Sequence, residues 1–337
     1  MGEPVLVTGA AGFIGMHVAQ RLLVEGYDVV GIDNLNAYYD PALKAARTAE
    51  LQRFSNFRFE KVNIADRASM MRLFETQRFP NVIHLAAQAG VRHSLTDPYA
   101  YAEANFIGFL NVLEGCRHQG SRHLLYASSS SVYGANTRMP FRASDNADHP
   151  LNLYGATKKA NELMAHAYSH LFAVPATGLR FFTVYGPWGR PDMAMWLFSD
   201  AILHGRPIKL FNNGRMRRDF TFIDDVVEAV VRLVPRPPSS NRAYSGEEPD
   251  PATSQAPWRV YNIGNSSPIE VLEVVRLIEQ ATGRTAKAEL LPMQPGDVPE
   301  TYADVTDLEQ AVGFRPSTPI ADGIARFVDW FRRFTKT

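Results

Sequence analysis

The sequence predicts an α/β protein: a doubly wound parallel sheet followed by a smaller C-terminal α/β domain. Three observations predict it. A short apolar strand runs straight into a glycine-rich turn and a helix. An acidic residue closes the next strand at a set distance from that turn. Strand-like and helix-like stretches then alternate through the first half of the chain, the pattern of crossover connections between parallel strands.

The strand is Val5-Leu6-Val7-Thr8, and the turn is Gly9-Ala10-Ala11-Gly12-Phe13-Ile14-Gly15. Ile14, Val18 and Leu22 share one face of the helix that follows. Gly9 permits the tight turn, Gly12 lets a pyrophosphate approach the backbone, and Gly15 lets helix and strand pack closely. The helix N-terminus offers free N–H groups and partial positive charge to an anion. No Lys-Ser/Thr pair follows, which argues against a P-loop. Asp33 closes the second strand 18 residues beyond Gly15, where a carboxylate can take the hydroxyls of an adenosine ribose. A carboxylate there repels a 2′-phosphate, and Asn34-Leu35-Asn36 supplies no cation, so the reading is NAD over NADP. Phe13, Ile14, Asn34 and Asn36 join the glycines and Asp33 as candidate cofactor residues in this Rossmann-type half.

A polar, partly helical stretch covers 34–56, and Phe57 to Val62 alternates like a strand. Asn63-Ile64 follows it, two further candidate cofactor residues, and Asp66 is placed to cap a helix containing Met70, Met71, Leu73 and Phe74. Asn81 to Ala87 is a fourth strand, whose Ala86-Ala87 are small enough for a cofactor to pass over, with Leu85 a further candidate cofactor residue. A helix of about five turns then carries Ala102, Phe106, Phe109, Leu110 and Leu113 and stops at Gly120. The stripe from Phe106 to Leu113 is either core or interface. His123 to Ala127 is a fifth strand running into four serines, Leu153 to Leu171 a helix, and Ala176 to Phe181 a sixth strand, with Phe181 beside the cofactor. Composition changes near Pro187. The domain reading is 1–186 for the dinucleotide-binding part, with 220–234 and part of 258–264 returning to it, and 187–337 for a substrate domain with a surface loop at 235–257. Met193 to His204 reads as a helix, 207–211 as a short strand, Ile269 to Ala281 as a helix stopped by Gly283, and the end as short helices anchored by Phe327, Trp330 and Phe331.

At 337 residues there is room for about two domains and a large core. Lys+Arg 35 balances Asp+Glu 35, and no basic block points to nucleic acid. The single cysteine, Cys116, rules out an internal disulfide and fits a reducing, cytoplasmic setting. The nine histidines include no HExxH, and cysteine-rich zinc sites are excluded, so no metal is expected. The chain starts directly at its first strand, which leaves no stretch to read as a signal peptide, and no apolar run is long enough to span a membrane.

Tyr154 and Lys158 stand one helical turn apart, on one face. The run Ser128-Ser129-Ser130-Ser131 falls at the carboxyl end of the fifth strand, the edge where open parallel sheets bind ligands. With the glycine turn, this order of features resembles the short-chain dehydrogenase/reductase superfamily. The chemistry explains the residue types. A sugar hydroxyl must lose a proton as its carbon loses hydride. Free tyrosine titrates near ~10, and moving it to ~7 takes about 4 kcal/mol at 1.36 per unit. A nearby Lys158 ammonium and a positive nicotinamide ring would supply that. Lys158 would also hold the nicotinamide ribose, and Ser129 would orient the reacting hydroxyl.

The resemblance narrows further. Gly90-Val91-Arg92, Val132-Tyr133-Gly134, Ala156 to Glu162, Leu179 to Met193, Arg218-Asp219-Phe220-Thr221 and Gln294-Pro295-Gly296-Asp297-Val298 resemble the UDP-glucuronate 4-epimerases, over nearly the whole chain. That resemblance implies tightly held NAD, a homodimer, and interconversion of UDP-glucuronate and UDP-galacturonate through oxidation and re-reduction at C4. It implies Arg218 on the diphosphate, Phe211 near the uridine, and Asp297 among the substrate residues. Ser129, Ser130, Ser131 and Thr183 form an expected hydroxyl cradle for the substrate carboxylate. Arg190 either closes a loop over the sugar or pairs with an acid in that loop. Gly155, where alanine is expected, should cost the helix up to about 1 kcal/mol unless it lies in the first turn. The alternatives are a UDP-glucose or UDP-GlcNAc 4-epimerase, a UDP-glucuronate decarboxylase and, from a different class, a non-catalytic dinucleotide sensor. A 4,6-dehydratase would want an Asp-Glu pair where the serines stand.

Overall fold

The computed structural model describes residues 4–293 and 298–337. In chain order, β1 (Val5–Thr8) is wholly buried, as an apolar four-residue run in a two-sided parallel sheet must be. α1 (Phe13–Val24) follows the glycine turn and buries Met16, Val18, Ala19, Leu22 and Leu23. β2 (Val29–Asp33) leads to α2 (Pro41–Leu51), started by Asp40, whose carboxylate accepts from Ala42 N–H, and by Pro41 in the first turn. β3 (Phe57–Lys61) is followed by α3 (Arg67–Thr76), capped by Asp66 as its position suggested. β4 (Asn81–His84) is three residues shorter than the apolar run, because Leu85-Ala86-Ala87 leaves the sheet.

After α4 (His93–Thr96) and α5 (Pro98–Tyr101), the expected five-turn helix is a π-helical stretch (Ala102–Ile107) running directly into α6 (Gly108–Gln119), which Gly120 ends. The change of pitch splits the apolar stripe: Phe109 and Leu113 are fully buried, whereas Phe106 is 44% exposed. A π turn shifts the register by one residue, so a 3.6-residue period read across it assigns the wrong face. β5 (His123–Ser129) runs two residues into the serines, and α7 (Leu153–Phe172) and β6 (Ala176–Phe181) follow.

Beyond β6 come β7 (Thr183–Tyr185), α8 (Ala194–Leu203), β8 (Pro207–Leu210), β9 (Arg217–Phe222) and α9 (Ile223–Leu233). Then follow β10 (Trp258–Ile263), β11 (Pro268–Glu270), α10 (Val271–Thr282), β12 (Lys287–Leu290), β13 (Glu300–Thr301), α11 (Thr306–Val312) and α12 (Ile320–Thr335). The expected short terminal helices include one 16-residue helix, α12, and its Phe327, Trp330 and Phe331 are buried. The 235–257 segment has no regular structure, but its end is tucked in: Ala252, Thr253, Ser254 and Ala256 are buried.

The chain divides into two compact units. The first comprises residues 1–138, 142–181 and 230–262, and the second 139–141, 182–229 and 263–337. In the first unit, seven strands are ordered β10-β6-β5-β4-β1-β2-β3, and those from β1 to β6 pair in parallel. Strand order reverses between β1 and β4, the switch point of a doubly wound sheet. A core including Leu6, Val82, Leu124, Tyr126, Phe109 and Val260 lies against it. Each such large side chain contributes about 1.5–3 kcal/mol on burial. In the second unit, β9 pairs antiparallel with β11 and parallel with β13 and β7, while β12 pairs with β8. Helices α8, α10 and α12 pack together. Among the described residues, no helix is long and apolar enough to cross a membrane.

Candidate active site

The expected cofactor residues of the first unit lie at the carboxyl ends of consecutive parallel strands. Gly9 leaves β1 at φ +72°, and a Cβ there would lie 2.7 Å from the backbone nitrogen of Ala86. The turn therefore presses against the 85–87 segment. At Gly15 a Cβ would lie 2.0 Å from the Gly9 carbonyl oxygen, which enforces the close strand–helix approach. Gly12 is the N-cap of α1 and offers no side chain to its first-turn N–H groups, and the first turn has no acidic residue. Those donors, beginning at Phe13 and Ile14, are what a pyrophosphate would take. This bare, closely approached helix end fits a dinucleotide.

Asp33 ends β2 and is buried, with one carboxylate oxygen accepting from Leu35 N–H at 2.8 Å. A cation stands beside it, supplied not by Asn34-Leu35-Asn36 but from α2. Lys44, on the buried face of α2, places Nζ 4.0 Å from Asp33 and donates to Asn36 Oδ1 at 2.6 Å. Asn34 accepts from Asn36 N–H. Asn63 accepts from Ala65 N–H in a turn after β3, and the carbonyl of buried Ile64 accepts from Asn111. Leu85, Ala86 and Ala87 follow β4. Ala86 N–H donates to Thr8 Oγ1, which also bonds the ring of His84 at 2.8 Å. His84 is buried, and its ring is held down to about 3, first by burial and then by the charge of Lys158. It is therefore a neutral strut. Phe181 closes β6, buried.

Ser129 ends β5 and caps a short helical turn, accepting from Ser131 N–H. Ser130 and Ser131 lie in that turn, half-buried. Ser128 faces away from them. It donates to Glu162, which is locked to Arg180 by two hydrogen bonds of 2.8 and 2.9 Å, all buried. This pair ties β5, β6 and α7 together beneath the serines. Tyr154 is the second residue of α7 and half-buried, its ring 6.1 Å from that of buried Tyr101. Lys158 is buried one turn later, donating to the Ala127 carbonyl at 3.0 Å, and burial lowers its ammonium to about 8.

Asn152 caps α7 by accepting from Gly155 N–H, so Gly155 does lie in the first turn. A Cβ on it would lie 2.5 Å from the Ser131 carbonyl oxygen. Glycine thus lets the Tyr154 turn and the serine turn touch. Sequence reasoning missed two further anchors of this helix. Asn105, in the π stretch, bonds both the N–H and the carbonyl of Gln88 and reaches Thr157, while Asn161 donates to the Asn105 carbonyl. Only the oddity of a buried asparagine within an apolar stripe could have signalled them.

In the second unit Thr183 opens β7, half-buried. Phe211 begins a short turn, and Arg218 lies on β9, donating to the carbonyls of Arg217 and Pro299 at 2.9 and 3.1 Å. Fully buried Asp219 beside it accepts from Asn265, Ser266 and Ala303 N–H groups, fixing the strand that carries Arg218. Arg190 pairs with Asp192 through both carboxylate oxygens. Asp297 lies outside the described residues. Among the described residues no cluster of metal-ligating side chains occurs.

A doubly wound sheet, a bare glycine-rich helix end and a Ser–Tyr–Lys group on adjoining elements define a dinucleotide-dependent enzyme of the short-chain dehydrogenase/reductase type. More particularly, the chain belongs to the NAD dependent epimerase/dehydratase family, whose sequence model matches residues 5–245. It is 52% identical over 327 residues to a Rhizobium meliloti protein named "Probable UDP-glucuronate 4-epimerase", covering 97% of this chain and 96% of that one. UDP-glucuronic acid 4-epimerase from Bacillus cereus, solved with UDP-glucuronic acid and NAD, superposes with a TM-score of 0.85 at 31% identity, covering 98% and 99% of the two chains. UDP-glucose 4-epimerase from Thermotoga maritima, solved with UDP-glucose, also reaches 0.85, at 29% identity and the same coverage.

Proposed function

We propose that this protein is an NAD-dependent isomerase that inverts C4 of UDP-glucuronate to give UDP-galacturonate. The carrying observation is the hydroxyl-rich, acid-free turn Ser129–Ser131 in contact with the first turn of the Tyr154 helix. The backbone alone does not choose the sugar, since a neutral-sugar epimerase superposes equally well. The 52% identity to a relative named for the acidic sugar supports the choice.

Gly9, Gly12, Phe13, Ile14, Gly15, Asp33 and the residues after β3, β4 and β6 would hold NAD, which when bound would supply the hydride chemistry at C4. Tyr154 takes the O4 proton and later gives it back. The ammonium of Lys158 favours the phenolate through its positive charge. Ser129 holds O4 in line. With C4 oxidised, the C5 carboxylate belongs to a β-keto acid and can leave as CO2. The hydroxyls of Ser129, Ser130, Ser131 and Thr183 hold it with its breaking bond out of line with the carbonyl. Arg218 takes the diphosphate, Phe211 the uracil side, and Asp297 belongs to the same substrate set.

The protein works as a homodimer in the cytoplasm. Tyr99, Phe106, Ile107, Leu163 and Leu171 leave apolar surface on α5 to α7 for a second copy. Buried Cys116, its thiol pushed up to about 12 by burial, is inert in a reducing compartment. Incubation with UDP-glucuronate and separation of the products tests the reaction. UDP-galacturonate supports it, while UDP-xylose, a dehydrated sugar or no turnover rejects it. Thr183→Val should raise CO2 release relative to epimerisation, and unchanged values for both remove Thr183 from the cradle.

A further inference from the structure

The buried face of α2 carries two cations, Lys44 and Arg47, that no cofactor motif requires. Arg47 donates to the Ala11 carbonyl in the glycine turn at 3.1 Å and to Tyr39 Oη at 2.6 Å. Lys44 lies 5.0 Å over the same tyrosine ring, donates to Asn36 Oδ1, and stands 4.0 Å from Asp33 Oδ1, with both side chains less than one-tenth exposed. Burying an ammonium is costly unless it is paired and hydrogen-bonded. Here burial does lower the Lys44 ammonium, Asp33 opposes that shift, and Arg47 adds to it.

The 4.0 Å gap is the telling dimension. It is too long for a direct hydrogen bond, yet two bonds of about 2.8 Å meeting at one hydroxyl oxygen span it. A hydroxyl can donate to the carboxylate while accepting from the ammonium, which carries three donors. We propose that Lys44 is a cofactor-binding residue, paired with Asp33 as donor and acceptor for the adenosine ribose hydroxyls of NAD. Asp33 then excludes a 2′-phosphate although a cation stands beside it, and removing Asp33 exposes that cation. The proposal rests on the NAD reading above.

Wild type, Lys44→Met, Lys44→Gln, Asp33→Asn and Asp33→Asn/Lys44→Met are compared by calorimetry with NAD and with NADP, alongside thermal melts. Lys44→Met should weaken NAD at least tenfold. Asp33→Asn should gain NADP affinity at least tenfold, and the double variant should lose that gain. NAD affinity within twofold of wild type in folded Lys44→Met, whatever its melting temperature, overturns the proposal. So does an NADP gain that survives in the double variant. If Lys44→Met does not fold, Lys44→Gln is judged by the same thresholds, since it keeps a donor but loses the charge. Wild type that carries no NAD as purified and takes none up overturns the cofactor reading itself, and this proposal with it.

Discussion

Gly155→Ala sets a local preference against a tertiary contact. In an exposed helix interior, alanine in place of glycine is worth about 1 kcal/mol. Here the new methyl carbon would stand 2.5 Å from the Ser131 carbonyl oxygen and 3.1 Å from its carbon. An ordinary carbon–oxygen approach is about 3.3 Å, so the serine turn and the Tyr154 turn must separate by roughly 0.8 Å. Overpacking of this kind costs about 1–3 kcal/mol, which offsets or exceeds the helix gain. The larger effect falls on turnover. Ser129, which caps the same turn, and Tyr154 would lose their register, and a misplacement near 1 Å can cost about 100-fold. The expectation is a 10- to 100-fold fall in kcat for UDP-glucuronate epimerisation, with a melting temperature equal to or below wild type. The assay is product separation at saturating substrate, with a thermal melt on the same samples. A variant that melts higher and turns over within threefold of wild type would refute the contact argument and leave helix propensity in charge.

Buried His84 and His123, held down to about 3 and about 4 mainly by burial, remain neutral in the folded protein and gain protons on unfolding. Their contribution to stability is complete above the unfolded value near ~6.5 and is lost as pH falls towards the folded ones. Each should remove about 2 kcal/mol between pH 7 and pH 5, read by urea denaturation at both pH values, and equal stability at the two contradicts this. Lys158 loses its proton above about 8, and with it the charge that favours the Tyr154 phenolate, so kcat/KM should fall on the alkaline side near there. A profile flat to pH 10 would remove Lys158 from that role. Burial raises the Glu162 carboxyl, and the charge and hydrogen bonds of Arg180 outweigh it and leave it ionised. Glu162→Gln strands a buried guanidinium and should cost about 3–5 kcal/mol, measured by denaturant titration; a loss below 1 kcal/mol would show the pair to be replaceable.

Short-range patterns carried much of this protein. The strands β1 to β6, the turn at Gly9–Gly15, the Asp66 cap and the Tyr154–Lys158 spacing are each written within a few consecutive residues, where apolar period and glycine placement act locally. Tertiary packing decided the rest. The two- and three-residue strands β7, β11 and β13 are too short to show a period and exist because β9 pairs with them. The π stretch turned Phe106 outward while Phe109 went into the core. Ser128 left its three neighbours because the Glu162–Arg180 pair drew its hydroxyl inward. Lys44 reached Asp33 only because α2 packs against α1 and turns its Lys44 face inward. Sequence states which groups a chain owns, but a charge far along the chain acts on another only once packing has closed the distance and excluded the water between them.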